Sequence, residues 1–331
     1  MKSVVGHLVG CIVTVTKRGE IVRLLFFDDF KFGVLRGDQV VDLSGAVADI
    51  PRAHPQDVIR GVIEGWSRYE EVLSRAAEHA DGVPLSSVRI RPPLPRPSNI
   101  DCMAVNYMEN GTLSEKPPIN AFHKSPNAVI GNGDTMILPD VPATIFEGEA
   151  ELALVIGKRA TNVPESEAMS YIFGYTNFID GSARGLPPQS NGFYQMKSRE
   201  TFCPIGPFIV TADEVADPQN LSIQLWNNGT LMQDFNSNDM AHKIPRCIEF
   251  VSSVHTIEPG DVLATGTNHR GLNPFMDGDQ IELEVQGLGR LQISVADDLK
   301  RVWERRTRLQ QSEAGSGSPM APQISGKYSP A

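Results

Sequence analysis

Cysteine is scarce in these 331 residues, and its placement is as informative as its number. Cys11, Cys102, Cys203 and Cys247 stand far apart with no C-x-x-C pair. That argues against a disulfide scaffold or a thiolate zinc framework and for reduced thiols in a cytoplasmic protein. Basic charge is also in short supply: 30 Lys and Arg face 40 Asp and Glu, for a formal charge of −10. No basic cluster exceeds RVWERRTR at 301–308. Such a chain lacks the electrostatic footprint of a nucleic-acid or anionic-membrane binder, and a small molecule is the expected partner. Long apolar runs are missing too. VVGHLVGCIVTV (4–15) is interrupted by His7, falls far short of a membrane span, has no small-residue cleavage site, and reads as a first strand. The N-x-T sequons at Asn110 and Asn228 then carry no meaning, because glycosylation needs the secretory route.

What is present is a hydrophobic content of 40%, enough for one large core or two ordinary ones. Residues 1–92 read as a small α+β domain: the strands CIVTVTK, EIVRLLFF, KFGVLRG and QVVDL, then a helical stretch from Pro55 to about His79. IRPPLPRPSNI (90–100) places four prolines where neither a helix nor a central strand can continue, and marks a boundary. From 98 to 305 short β-rich runs alternate with Gly, Pro, Asn and Asp clusters. The pattern predicts an α+β, mostly β architecture, a roll or barrel with few helices. Asn228-Gly229 predicts a hairpin. Residues 309–331 are too poor in large apolar groups to offset their ordering entropy and read as a flexible tail.

The segment FEGEAELALVIGKR (146–159) sets Glu147, Glu149 and Glu151 at every second position. In a strand that spacing aims all three at one face. Two unit charges about 4 Å apart repel by roughly 4 kcal/mol at an effective dielectric near 20. Water at an exposed face or a bound cation must offset this. The apolar run LALVIG directly after the acids places the later ones at the mouth of a core. Asp180, ending the β-rich run of FGYTNFIDGSARG, is a further oxygen donor for a hard cation such as Mg²⁺, or else a turn cap. Lys197, in FYQMKSRETFCPIGP, is a candidate cation in the same setting, or else an ordinary solvated lysine.

GEAELALVIGKR, GYTNFIDGSAR, MKSRETFCPIGP and LATGTNHRGLNPFMDGDQIELEVQGLG occur in this order between residues 148 and 289. Together they resemble the fumarylacetoacetate hydrolase family over about residues 98–300. The resemblance implies a mixed β-sandwich roll, a homodimer, and Mg²⁺ or Mn²⁺ held by Glu149, Glu151 and Asp180, with Glu147 left over as a neighbour on the same face. It implies that Lys197 faces the charge on the substrate, that Tyr107 lines the substrate pocket, that Arg184 supports the metal loop on the substrate side, and that Thr267 in ATGTN grips an anion. Substrates would be 2-oxo or 2,4-dioxo acids, the ion acting as a Lewis acid as a C–C bond breaks. The leading expectation is Mg²⁺-dependent hydrolysis of an acylpyruvate-like 2,4-dioxo acid in aromatic or amino-acid catabolism. An isomerase, decarboxylase or hydratase using the same site is the alternative, and a non-catalytic metal-binding protein the third.

The chain departs from the family pattern in one consequential place. Hydrolytic members carry N-Y-x-x-H, whereas NYMENGTLSE (106–115) has Asn110 at the histidine position. An amide takes no proton at neutral pH, so the usual general base is absent, which favours the alternative reaction. His269, His123, Glu109 and Glu115 are possible substitutes. His269 is preferred because it follows the anion-binding turn. Pro187 replaces a glutamine found in several members.

Overall fold

The computed structural model describes residues 23–186 and 192–329. The expected first strand, the CIVTVTK strand and Pro187 lie outside them. The N-terminal region supplies β1 (Arg23–Phe27), β2 (Lys31–Arg36), β3 (Gln39–Asp42), β4 (Gly82–Pro84) and β5 (Ile90–Arg91). The next strands are β6 (Ile100–Met103), β7 (Ala121–His123), β8 (Val129–Ile130), β9 (Thr135–Ile137), β10 (Ile145–Ile156), β11 (Ile172–Arg184) and β12 (Cys203–Thr211). The hairpin β13 (Ser222–Asn227) and β14 (Thr230–Asn236) follows, then β15 (Val262–Ala264), β16 (Gln280–Val285), β17 (Arg290–Ala296), β18 (Val302–Trp303) and β19 (Gln323–Ser325). The helices are α1 (Pro55–Glu64), α2 (Trp66–His79), α3 (Gly192–Lys197), α4 (Ile244–Val254) and α5 (Arg308–Glu313).

The mostly β architecture agrees with the strand-rich sequence pattern. A large mixed sheet runs β4-β3-β2-β1-β12-β11-β10-β15-β6-β7, and a second sheet runs β14-β13-β16-β17-β9. The described N-terminal strands do not form a sheet of their own. β1 pairs antiparallel with β12, Leu24 opposite Ile209, so the region extends the large sheet. Alternation along β10 separates two cores. Ala150, Leu152, Leu154 and Ile156 join an apolar cluster with Leu225, Leu283 and Ile293 of the second sheet. Ala153 and Val155 join the cluster that holds Val58 and Val62 of α1 and Leu73 of α2. Glu147, Glu149 and Glu151 have the parity of this second set, so the acidic row continues an apolar stripe on the same face of the same strand.

The helical stretch from Pro55 to about His79 consists of two helices, separated at the non-helical Gly65 (φ −98°, ψ 19°). Its start is strongly specified: Pro55 occupies the first turn, and the Asp57 carboxylate accepts the N–H of Ala53 and His54 at 2.8 and 2.9 Å. Asn228 and Gly229 adopt positive φ (51° and 76°) and close the β13–β14 hairpin, as the dipeptide predicts. The segment expected to be a flexible tail carries two short elements. Thr307 and Gln310 form a reciprocal cap on α5, and β19 pairs with β18. Composition registers missing apolar bulk, but capping and main-chain pairing need little of it. Among the described residues no helix is long and apolar enough to cross a membrane.

Candidate active site

Strands β10 and β11 build the site. Their antiparallel register sets Glu149 opposite Asp180 and Glu147 opposite Ser182, and directly opposed side chains share a face. One oxygen each of Glu149, Glu151 and Asp180 lies within 4.8 Å of the others, and all three residues are buried. Glu147, at the end of the row, is held by Arg184 and by Arg308, whose Nη2 stands 2.6 Å from Oε2. Arg184 spans the row, its guanidinium also pairing with Glu149. Lys197, buried at the end of α3, donates to Glu149 Oε1 at 2.6 Å and to Asp180 Oδ2 at 2.5 Å. Its ammonium also faces the Phe122 ring, 5.3 Å from the centroid.

Sequence reasoning misses Lys124. Fully buried, it pairs with Asp180 Oδ1 and donates to the Gly181 carbonyl at 3.1 Å. Nothing in FHKSP distinguishes it from a surface lysine; β7 carries the chain to it. Arg308 escapes as well, because it stands at the edge of the segment that reads as a tail. So does Gln233: from β14 its amide accepts the Ala150 N–H at 3.1 Å and donates to Thr267 Oγ1 at 2.9 Å, tying the strand between the two glutamates to the ATGTN turn.

Electrostatics divide the row. Burial alone would raise the Glu149 carboxyl, but Lys197 and then Arg184 outweigh it and hold that group well below the usual carboxylate range. Glu151 goes the other way: burial, then the charges of Asp180 and Glu149, push it well above its ordinary value. Glu151 accepts the Gly266 N–H at 2.8 Å and has no cation partner among the described residues. Gly266 runs at φ 86°, a conformation that suits glycine and lets its N–H point at this carboxylate. The donor set is therefore carboxylate oxygen throughout, with one member short of positive charge. It fits a hard divalent ion, for which Glu149, Glu151 and Asp180 would be the ligands.

The second group comes from two loops. Glu109 and Asn110 both adopt positive φ (54° and 57°), turning the loop back toward the segment after β15. There His269 Nδ1 lies 2.6 Å from Glu109 Oε1, and the His269 N–H donates to Glu109 Oε2 at 2.9 Å. Asn110 Oδ1 accepts from Asn268 at 3.2 Å. The imidazole is near enough for its positive form to lower the Glu149 pKa. Two of the candidate bases named from sequence, His269 and Glu109, are thus partners. Glu115 is exposed, and His123 turns to Asp101 instead. Tyr107 is fully buried, its ring edge-on to Phe235 at 5.0 Å, and its hydroxyl has no hydrogen-bond partner among the described residues. Thr267 is buried against Gln233.

Residues 99–296 match the family profile described as fumarylacetoacetate (FAA) hydrolase C-terminal. The chain belongs to the fumarylacetoacetate hydrolase family. The acids, both lysines and the His269–Glu109 pair all fall within the matched span; Arg308 lies beyond it. A mitochondrial oxaloacetate tautomerase of Bos taurus is 34% identical over 266 residues, covering 76% of this chain and 82% of its own. The oxaloacetate tautomerase YisK of Bacillus subtilis is 35% identical over 221 residues, 62% of this chain and 73% of its own. Among solved structures, maleylpyruvate hydrolase from Sphingobium, in complex with manganese(II) and pyruvate, superposes with a TM-score of 0.76 at 33% identity, over 83% of this chain and 99% of that one. Family members of this fold thus include both tautomerases and hydrolases.

Proposed function

We propose that this member of the fumarylacetoacetate hydrolase family interconverts the keto and enol forms of a short 2-oxo diacid of the oxaloacetate class. The observation that carries this reading is the His269–Glu109 pair, with Nδ1 and carboxylate 2.6 Å apart, in a chain whose residue 110 is asparagine. One carboxylate fixes one imidazole, leaving Nε2 to take a proton from carbon and return it. Mg²⁺ or Mn²⁺ held by Glu149, Glu151 and Asp180 would supply Lewis acidity toward a carbonyl oxygen. The chain's own groups do the rest. Lys197, fixed between Glu149 and Asp180, presents positive charge toward the oxygen on which negative charge grows. His269 removes the proton from the carbon beside the carbonyl; the C–H bond breaks, an O–H bond forms at the former carbonyl, and no water is consumed. Two of the relatives named above carry out the tautomerisation of oxaloacetate by name.

Hydrolysis of a C–C bond in an acylpyruvate-like acid is the second reading. The Sphingobium hydrolase favours it, and the same imidazole can activate water instead of carbon. Solvent labelling separates the two. With oxaloacetate in D₂O, tautomerisation accelerates deuterium entry at C3 with no new product. Hydrolysis of an acylpyruvate in H₂¹⁸O yields two acids, one carrying solvent oxygen. Labelled cleavage of acylpyruvates without accelerated exchange of oxaloacetate would replace the first reading with the second.

A further inference from the structure

A second cluster of ligating side chains stands outside the carboxylate row. Asp101 of β6 lies opposite His123 of β7, and His255, the residue that follows α4, reaches the same carboxylate. Asp101 Oδ1 is 3.0 Å from His255 Nε2 and 3.2 Å from His123 Nδ1. The imidazole centroids are 4.9 Å apart. The Asp101 side chain is only 4% exposed, yet its Oδ2 has no hydrogen-bond partner among the described residues.

The hydrogen bonding of His255 sharpens this. Its Nδ1 lies 2.9 Å from the Thr256 carbonyl oxygen, which can only accept, so Nδ1 carries a proton. In the neutral ring Nε2 is then a lone pair facing a carboxylate oxygen, and two acceptors at 3.0 Å require a positive group between them. A backbone carbonyl on the far ring nitrogen is also the outer partner that metal-ligating histidines take. The spacing fits as well. Tetrahedral bonds of about 2.0–2.1 Å to nitrogen and oxygen set neighbouring donors roughly 3.3 Å apart, against 3.0 and 3.2 Å here.

We propose that Asp101, His123 and His255 bind one transition-metal ion of the Zn²⁺ class, with its remaining position open to solvent beside the half-exposed His123. Two imidazoles and one carboxylate select borderline metals over Mg²⁺, whereas the carboxylate row selects hard ions, so the two sites differ in preference. An ion here would also tie β7 to the end of α4, and the residue after β7 is Lys124, which pairs with Asp180. The site does not depend on which reaction the enzyme performs.

The test uses the full chain with the carboxylate row saturated by millimolar Mg²⁺, titrated with Zn²⁺ by calorimetry and with Co²⁺ by visible absorption. One equivalent of Zn²⁺ beyond the Mg²⁺ is expected, along with a Co²⁺ spectrum of the strength that four-coordinate imidazole sites give. His123→Ala and His255→Gln should each weaken binding by more than roughly tenfold, while Glu151→Gln leaves it unchanged. His123 is the exposed member, so His123→Ala is the variant whose folding is least at risk, and its circular dichroism is checked first. The proposal is overturned if both histidine variants retain Zn²⁺, if Zn²⁺ binds only at the expense of Mg²⁺, or if Glu151→Gln removes it. In each of those cases a proton, not a metal, bridges His255 and Asp101.

Discussion

Glu147 and Glu151 occupy the two ends of one acidic row, on the same face of β10 and equally buried at 1% exposure. Their surroundings are opposite. Glu147 meets two guanidiniums, from Arg184 and Arg308, and its carboxyl lies below the ordinary range because those charges outweigh the burial that opposes them. Glu151 meets one N–H and two other carboxylates, and is pushed up. Period-two spacing specifies only that the acids share a face. What each acid does is decided by whether the fold brings it a cation. A buried carboxylate already matched by two arginines belongs to the framework, and one left short of charge is available to a ligand.

The largest test of this contrast is Glu151→Gln against Glu147→Gln, each keeping shape while removing charge. Glu151→Gln should abolish metal binding and turnover yet raise the thermal stability of the metal-free protein, since it removes repulsion from Glu149 and Asp180. Glu147→Gln should do the reverse, lowering stability by about 3 kcal/mol because it leaves Arg308 without a carboxylate and removes one of the two that Arg184 holds, while metal stoichiometry holds at one. Calorimetric titration and thermal melts read both. If Glu151→Gln bound metal with wild-type affinity, the division of the row drawn here would be wrong.

Next in size is His269→Asn. A positioned general base contributes about 10² to 10⁴ in rate, and kcat should fall within that range with metal occupancy intact. Glu109→Gln, which breaks only the orienting contact, should lose less than His269→Asn. Equal losses would mean that the pair acts as one unit. Lys197→Met should lower kcat by about 10², the loss expected when a donor to a developing oxyanion is removed. Metal affinity should not fall, because the lysine competes with the ion for Glu149 and Asp180. A parallel drop in both quantities would instead mark Lys197 as a structural cation.

Local chemistry explains which parts of this site are legible in the sequence. The acid row is readable because strand geometry turns a spacing of two into a shared face. The Asn228-Gly229 hairpin is readable because the turn demands positive φ. Lys124 carries no signal: a lysine becomes a buried partner of Asp180 only when β7 is laid beside β6, and that pairing spans the irregular chain of residues 104–120. Glu109 looks like a solvated loop acid because its partner, His269, is 160 positions away and meets it only where two successive residues turn to positive φ. The family resemblance supplies Asp180 and Lys197, which taken in isolation read first as a turn cap and a solvated lysine. Arg308 is lost to a composition argument, which sees absent apolar bulk but not a carboxylate waiting 161 residues upstream.

Arg308 yields the smallest effect and the finest cut. Arg184 bridges Glu147 and Glu149, so its removal should disturb both the framework end of the row and a proposed metal ligand. Arg308 reaches Glu147 alone, through Nε at 3.1 Å and Nη2 at 2.6 Å. After Arg308→Ala, Glu147 keeps Arg184 and loses one charge-assisted pair, which costs about 1.5–3 kcal/mol when it is well formed. The lower part of that range applies because 18% of the arginine side chain is exposed and partly screened. Urea melts should therefore show a stability loss of about 1.5 kcal/mol, while kcat and the metal dissociation constant stay at their wild-type values. A kcat that fell tenfold in a fully folded Arg308→Ala protein would show charge at Glu147 being felt at Glu149, through Arg184, and the two ends of the row would then have to be treated as one coupled group.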